Sequence, residues 1–133
     1  MSAKPASNQQ HKKTEQALLA RLNQRATELE GEIASKEQRQ PAHDGKDHTH
    51  EVMDRGEEAN HHVRVEVRNA EIDRDRTELR NIAIARERIE AGTYFDCADC
   101  GKAINVERLE AQPTATRCIA CQEKAEKADE RRA

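Results

Sequence analysis

Apolar side chains recur every three or four positions early in the chain. The recurrence runs from Thr14 to about Gln38, and its members are Leu18, Leu22, Ala26, Leu29 and Ile33. Since an α-helix completes a turn in about 3.6 residues, these positions form one narrow stripe along a helix that Thr14 can cap. Residues 1–13 show no such period and contain Ser, Pro and Gln, so the sequence predicts a disordered N-terminal arm there.

A second helical pattern extends from about Glu51 to Ala91. Its apolar seam starts with three residues at heptad spacing, Val65, Ile72 and Leu79. Ile82 and Ile89 continue the seam. Charged residues interrupt the seam, which is typical of an imperfect coiled coil. Gly92 is a suitable end for this helix because the residue after the last turn often takes a positive φ.

The segment between the two patterns carries turn signals. Pro41 and the dipeptide Asp44-Gly45 break the helical period. Two helices joined by a loop of about ten residues are expected to fold back antiparallel. The sequence therefore predicts an all-α fold, with a coiled-coil hairpin over residues 14–91 whose tip lies near residues 40–56. On periodicity alone, a structural spacer or a dimerising coiled coil is an equal alternative.

Composition limits the core that such a chain can build. Apolar residues make up 35% of the chain and aromatic residues 2%, whereas 37% are charged. Long helices that share a narrow seam, stabilised by a cross-link elsewhere, suit this composition better than one large core. No run of about 18 apolar residues predicts a membrane span, and we expect a cytoplasmic protein.

Four cysteines supply the expected cross-link. Cys97 and Cys100 form one C-x2-C pair, and Cys118 and Cys121 form a second pair, with 17 residues between the pairs. This spacing is typical of a tetrahedral Zn²⁺ site with four thiolate ligands. We expect Gly101 to provide a tight turn that points backbone N–H groups at the sulfur atoms.

Other uses of the cysteines are weaker interpretations. A dithiol redox motif belongs in a βαβ setting that this chain lacks. An iron–sulfur cluster stays open as an alternative that two symmetric pairs do not favour. With all four positions held by protein, the expected zinc ion is structural, so the sequence does not indicate an enzyme. Lys102 and Arg117 are close enough in sequence to offset some thiolate charge.

Charge argues against DNA as the partner. The formal net charge is −3, and residues 97–133 carry seven cations and seven acids. The sequence predicts a zinc module over residues 92–133, with a C-terminal helix from about Ile119. Because neutralisation of phosphates dominates nucleic-acid affinity, this neutral module is not expected to bind DNA sequence-specifically.

Residues 92–122, "GTYFDCADCGKAINVERLEAQPTATRCIACQ", resemble the zinc-finger signature of the DksA/TraR family. The matching features are G-x-Y before the first cysteine pair, CxxCG, Ile104, and "RLEAxPxAxxC" before the second pair. The hairpin before this stretch and the helix after it extend the resemblance to most of the chain.

This resemblance implies a function. DksA-like proteins bind RNA polymerase without contacting DNA, and they insert the coiled-coil hairpin into the secondary channel. The tip of the best-known members carries D-x-x-D-x-A. Here Glu51, Asp54 and Gly56 stand at the corresponding spacing, with Glu in place of the first Asp and Gly in place of Ala. The alternative is a zinc-stapled coiled-coil adaptor that binds another protein.

The resemblance also implies a difference in ppGpp response. In responsive members, basic residues stand just before the Pro of "RLEAxP" and just after the last cysteine. Here those positions are Gln112 and Gln122. A neutral amide cannot replace a cation facing a polyphosphate, so we expect weak or absent ppGpp synergy at the zinc module.

Overall fold

Four α-helices account for most of the described chain. The structure is a computed structural model that describes residues 5–39 and 55–132. The helices, in chain order, are α1 (Pro5–Gln38), α2 (Arg55–Ala91), α3 (Val106–Ala111) and α4 (Ile119–Arg132). The predicted all-α class is confirmed. Helix α2 ends at Ala91 and helix α4 begins at Ile119, as the sequence predicts. No helix in the described part of the chain is both long enough and apolar enough to cross a membrane.

The N-terminal helix starts earlier than the sequence predicts. It begins at Pro5, so residues 5–13, expected in a disordered arm, are helical. Pro is favoured in a first helical turn because its fixed φ suits the helix and its missing N–H would be unbonded there. The extension also makes a tertiary contact, since the ring of His11 stacks on that of Phe95 at a centroid distance of 4.4 Å. The expected start at Thr14 is therefore wrong.

Burial follows the predicted stripe closely on α1. All five predicted positions are buried, and Leu29 is completely enclosed. On α2 the match is partial. Ile72 and Ile82 are buried, whereas Ala85 takes a buried position that the heptad spacing did not indicate. The two helices thus share a narrow apolar seam rather than a wide core.

The chain divides into two compact units, one between Arg25 and Arg80 and one built from the remaining residues. In the Arg25–Arg80 unit, ion pairs link α1 to α2. Nε of Arg25 lies 2.8 Å from Oε2 of Glu78, and Nζ of Lys36 lies 2.8 Å from Oδ2 of Asp75. Because a later position on α1 meets an earlier one on α2, the helices run antiparallel there, as predicted.

The other unit contains the cysteines and a small core of its own. After the end of α2, its core includes the buried side chains of Tyr94, Ile104 and Leu109. The hydroxyl of Tyr94 donates a hydrogen bond of 2.7 Å to the carbonyl of Pro113. Helix α3, which contributes Leu109, is an element that the sequence analysis did not predict.

Candidate metal centre

The first cysteine pair lies in a tight turn that follows α2. Gly92 ends α2 with a φ of 80°, and the N–H of Thr93 bonds to the carbonyl of Arg88 at 2.9 Å. Further along the chain, the N–H of Cys97 donates a hydrogen bond of 2.8 Å to the carbonyl of Lys102. Gly101 closes the turn with a φ of 76°, a conformation that glycine adopts without a steric penalty. This turn is the one that the sequence predicts.

The second pair lies at the start of α4. Cys118 directly precedes the helix, and Cys121 falls in its first turn. The N–H of Gln122 donates to the carbonyl of Cys118 at 2.9 Å, so the helical backbone fixes the spacing of the pair. A hydrogen bond of 2.7 Å from the N–H of Ala98 to the carbonyl of Thr116 joins the two turns.

These elements bring the four predicted ligands together. The Sγ atoms of Cys97, Cys100, Cys118 and Cys121 all lie within 4.8 Å of one another, and none is in a disulfide. The Sγ atoms of Cys100 and Cys118 are 3.8 Å apart. Zn–S bonds of about 2.3 Å in a tetrahedron place the sulfur atoms about 3.8 Å apart. The separation of Cys100 and Cys118 equals this value, and the cluster is compact enough to surround one ion.

The backbone prepares Cys97 for a metal. Burial alone would raise the pKa of its thiol, but hydrogen bonds from the backbone of Cys100, Cys118 and Asp99 favour the thiolate and lower the pKa to about 6. Two of these bonds, from the N–H groups of Asp99 and Cys100, measure 3.4 and 3.5 Å to Sγ.

The neighbouring sulfur atoms raise the pKa of the last ligand, Cys121, instead of lowering it. The pKa of Cys121 is raised to about 12, first by its hydrogen bond with the thiol of Cys118 and then by burial. The cluster therefore resists carrying four thiolates by itself. A divalent cation at its centre would supply the missing positive charge, because metal binding deprotonates the coordinating thiol. The donor set and its electrostatics both fit Zn²⁺.

Charged side chains near the cluster are arranged differently from the prediction. Arg117, expected to offset thiolate charge, donates from Nε to Oδ2 of Asp99 at 2.8 Å. Its carbonyl accepts a hydrogen bond of 2.9 Å from Nε of Arg108. Lys102 contributes its carbonyl to Cys97. Backbone N–H groups, rather than these cations, stabilise the thiolate of Cys97.

Arg88 is a supporting residue that the sequence analysis missed. From the last turns of α2 its Nη2 donates to the carbonyls of Thr93 and Asp96. These carbonyls bracket Tyr94 and Phe95, directly before Cys97. A lone arginine among many charged helical residues gives no sequence signal of this role.

The remaining predicted site residues are not members of the cysteine cluster, and two of them lie outside the described chain. Glu51 and Asp54 lie outside the described residues, and Gly56 is exposed in the first turn of α2. Gln112 caps α3, where its N–H bonds to the carbonyl of Arg108. The side-chain amide of Gln122 donates to Oε2 of Glu126 at 3.0 Å.

Comparison with known proteins supports this description of the site. Residues 90–127 match the family described as the prokaryotic dksA/traR C4-type zinc finger. The RNA polymerase-binding transcription factor DksA of Caulobacter vibrioides is 42% identical over 55 residues, which are 41% of this chain and 39% of that protein. Its namesake in Escherichia coli K12 is 39% identical over 62 residues, covering 47% and 40% of the two chains. The chain thus spans about two fifths of the length of these relatives.

The likeness of fold extends further than the likeness of sequence. The solved structure of transcription factor DksA2 from Pseudomonas aeruginosa superimposes with a TM-score of 0.70 and covers 88% of this chain and 86% of its own. Identity there is 24%, so this match concerns the fold. The resemblance to the DksA/TraR family is confirmed, and residues 90–127 form a C4-type zinc finger of that family with one structural zinc site.

Proposed function

We propose that this chain is a DksA-like transcription regulator that binds RNA polymerase. The observation that carries the proposal is the sequence match around the cysteine cluster, because the matched relatives are named as RNA polymerase-binding transcription factors. The likeness to transcription factor DksA2 shows that most of the chain has a compatible fold. Because RNA polymerase acts in the cytoplasm, the proposal includes a cytoplasmic location.

The proposed point of action is the hairpin tip, which enters the secondary channel of the polymerase. Residues 40–58 concentrate negative charge in a chain whose net charge is only −3. Their acids are Asp44, Asp47, Glu51, Asp54, Glu57 and Glu58, against the two cations Lys46 and Arg55. Such a segment engages basic side chains or perturbs a bound Mg²⁺, which prefers oxygen ligands. Within it, Asp54 is the proposed effector carboxylate.

The zinc module serves this function as a support and not as a DNA reader. Its four ligand positions are all filled by cysteine, which leaves no position for water or substrate. The balance of seven cations and seven acids over residues 97–133 gives no field that attracts DNA phosphates.

The decisive experiment measures the lifetime of RNA polymerase complexes on a ribosomal-RNA promoter. Wild-type protein is expected to change this lifetime, whereas Asp54→Asn should bind polymerase and leave the lifetime unchanged. Asp73→Asn is the matched control, because Asp73 is an exposed aspartate on α2 outside the tip. It should behave as wild type.

Two results would redirect the assignment. Failure of the zinc-loaded wild-type protein to co-purify with polymerase would favour an adaptor that binds another protein. Binding without any effect on lifetime, by wild type and both variants, would remove the acidic tip from the mechanism.

We further propose that ppGpp adds little at the zinc module. Gln112 and Gln122 bring no positive charge, and the amide of Gln122 is already bonded to Glu126. In the promoter assay, titrating ppGpp should leave the effect of wild type nearly unchanged, and the double substitution Gln112→Arg with Gln122→Lys should introduce a response. A strong ppGpp dependence of the wild-type protein would contradict this proposal.

A further inference from the structure

A cluster of cations lines a groove between α1 and α2 in the Arg25–Arg80 unit. The groove has a volume of about 270 Å³ and is lined by Lys36, Arg39, Arg64, Arg68 and Glu71. We call it the basic groove. Four cations and one carboxylate thus line this groove, although the chain as a whole has a net charge of −3.

The single carboxylate of the basic groove is already engaged. Nζ of Lys36 lies 3.5 Å from Oε2 of Glu71 and 2.8 Å from Oδ2 of Asp75. Arg39 and Arg64, in contrast, form no ion pair with any residue that the structure describes. Other cations of this unit do pair across the helices, as Arg25 does with Glu78. The unbalanced positive charge of the groove is therefore carried by its arginines.

Arg68 adds a second, independent observation. Its Nη1 donates a hydrogen bond of 3.3 Å to the carbonyl of Arg39, which directs the guanidinium toward α1. Its Nε is buried and has no hydrogen-bond partner in the described part of the chain. A buried N–H without an acceptor costs free energy, and an anion that enters the groove would provide one.

The geometry suits an oxyanion with several phosphate groups. Arg64 and Arg68 are one helical turn apart on α2, so their side chains project in similar directions, and Arg39, directly after α1, also lines the groove. The guanidinium fork matches phosphate oxygens with two parallel hydrogen bonds. We propose that the basic groove is a binding site for a polyphosphate anion, either free or as the phosphate chain of a nucleotide. This site is separate from the cysteine cluster and does not depend on the proposed role on polymerase.

Calorimetric titration of the zinc-loaded 133-residue chain with inorganic tripolyphosphate tests the proposal. Arg64→Gln with Arg68→Gln removes two guanidinium groups from the groove. Arg74→Gln with Arg80→Gln is the control, because both arginines are exposed on α2 and do not line the groove. Gln and Arg have similar helix propensities, so both double variants should keep the fold. We expect the groove variant to bind about tenfold more weakly or worse, and the control variant to bind as wild type.

A parallel titration with a nucleoside triphosphate identifies the source of the phosphates. Equal affinities for the two probes would assign recognition to the phosphate chain alone, and tighter binding of the nucleotide would add a contact to its base or sugar. Absence of binding by wild type, or equal weakening in both double variants, would overturn the proposal. So would binding that emerges only when Asp44 and Asp47 are replaced by Asn, because the occupant would then be the acidic segment of the chain itself.

Discussion

Tyr94 joins the residues around the first cysteine pair to the loop before the second. Its ring is almost fully enclosed, and its hydroxyl is bonded to the carbonyl of Pro113. Burial raises the pKa of the phenol to about 12, since the charged phenolate loses its hydration. Glu15 adds to this effect by repelling the phenolate, whereas Arg21 opposes it. The neutral phenol is thus the form that the fold requires.

An alkaline titration checks this state directly, because the chain has one tyrosine. The folded protein should show phenolate absorbance only near pH 12, whereas the unfolded chain should titrate near 10.0. The raised pKa means that the folded state holds the phenolic proton more tightly. This contribution to stability is fully present below pH 10 and is lost as the pH rises toward 12. A folded-state midpoint near 10 would show that the ring is hydrated.

Leu29 and Val63 offer a matched test of burial within the Arg25–Arg80 unit. Leu29 is 0% exposed, whereas Val63 is 56% exposed. Leu29→Ala should lower the free energy of unfolding by about 2–5 kcal/mol, because it removes apolar contacts and leaves a cavity. Val63→Ala should change it by about 0.5 kcal/mol or less. Denaturant unfolding measures both, and similar losses would show that α1 is not packed along its stripe.

At the scale of the elements, charge pairs supplement the narrow apolar seam. Arg25 contacts three carboxylates, on Glu28, Glu32 and Glu78. The hydrogen bonds that Arg25 donates to the carboxylate of Glu78 are the main reason that the pKa of Arg25 is raised. Both partners of this pair are 40% exposed, so water screens much of their attraction.

A double-mutant cycle on Arg25→Gln and Glu78→Gln measures what the pair contributes. We expect a coupling of about 0.2–1 kcal/mol at low salt, which is the range of exposed ion pairs. The coupling should shrink as ionic strength rises, because salt screens solvated charges. A coupling of several kcal/mol that does not respond to salt would mean that the pair is shielded from water.

Hydrophobic periodicity predicts the long helices but misses the short one. The stripe from Leu18 to Ile33 repeats often enough to define a helix and its buried face, and both were predicted correctly. Helix α3 has six residues, too few to show a period, and it was missed. The helical residues before Thr14 include His11, whose ring stacks on Phe95, and no local pattern encodes a contact between residues so distant in sequence.

The same division holds for the metal centre. Spacing identified all four cysteines, because a tetrahedral zinc site restricts how far apart its ligands stand along the chain. The hydrogen bonds that lower the pKa of Cys97 come from backbone groups whose directions depend on the folded turn. The pairing of Arg117 with Asp99 likewise joins the two turns across 18 residues. These details require the structure.

At the scale of the whole molecule, zinc compensates for a small core. Aromatic residues are only 2% of the chain. Structural zinc contributes apparent binding free energies of about 10–16 kcal/mol in small zinc modules. A strong chelator should therefore remove one zinc ion per chain and lower the melting temperature. Cys118→Ser should do the same without chelator, and a colorimetric zinc assay with thermal melting measures both effects. Equal melting temperatures with and without zinc would contradict a structural role.

The position of Tyr94 has a practical consequence. The chain contains no tryptophan, so its intrinsic fluorescence above the phenylalanine range comes from this one buried residue of the zinc finger. Far-ultraviolet circular dichroism, in contrast, is dominated by the long helices α1 and α2. One unlabelled sample therefore gives two separate optical signals. Their melting or chelation curves, recorded together, would reveal whether the zinc finger and the helical hairpin unfold as one cooperative unit or in succession.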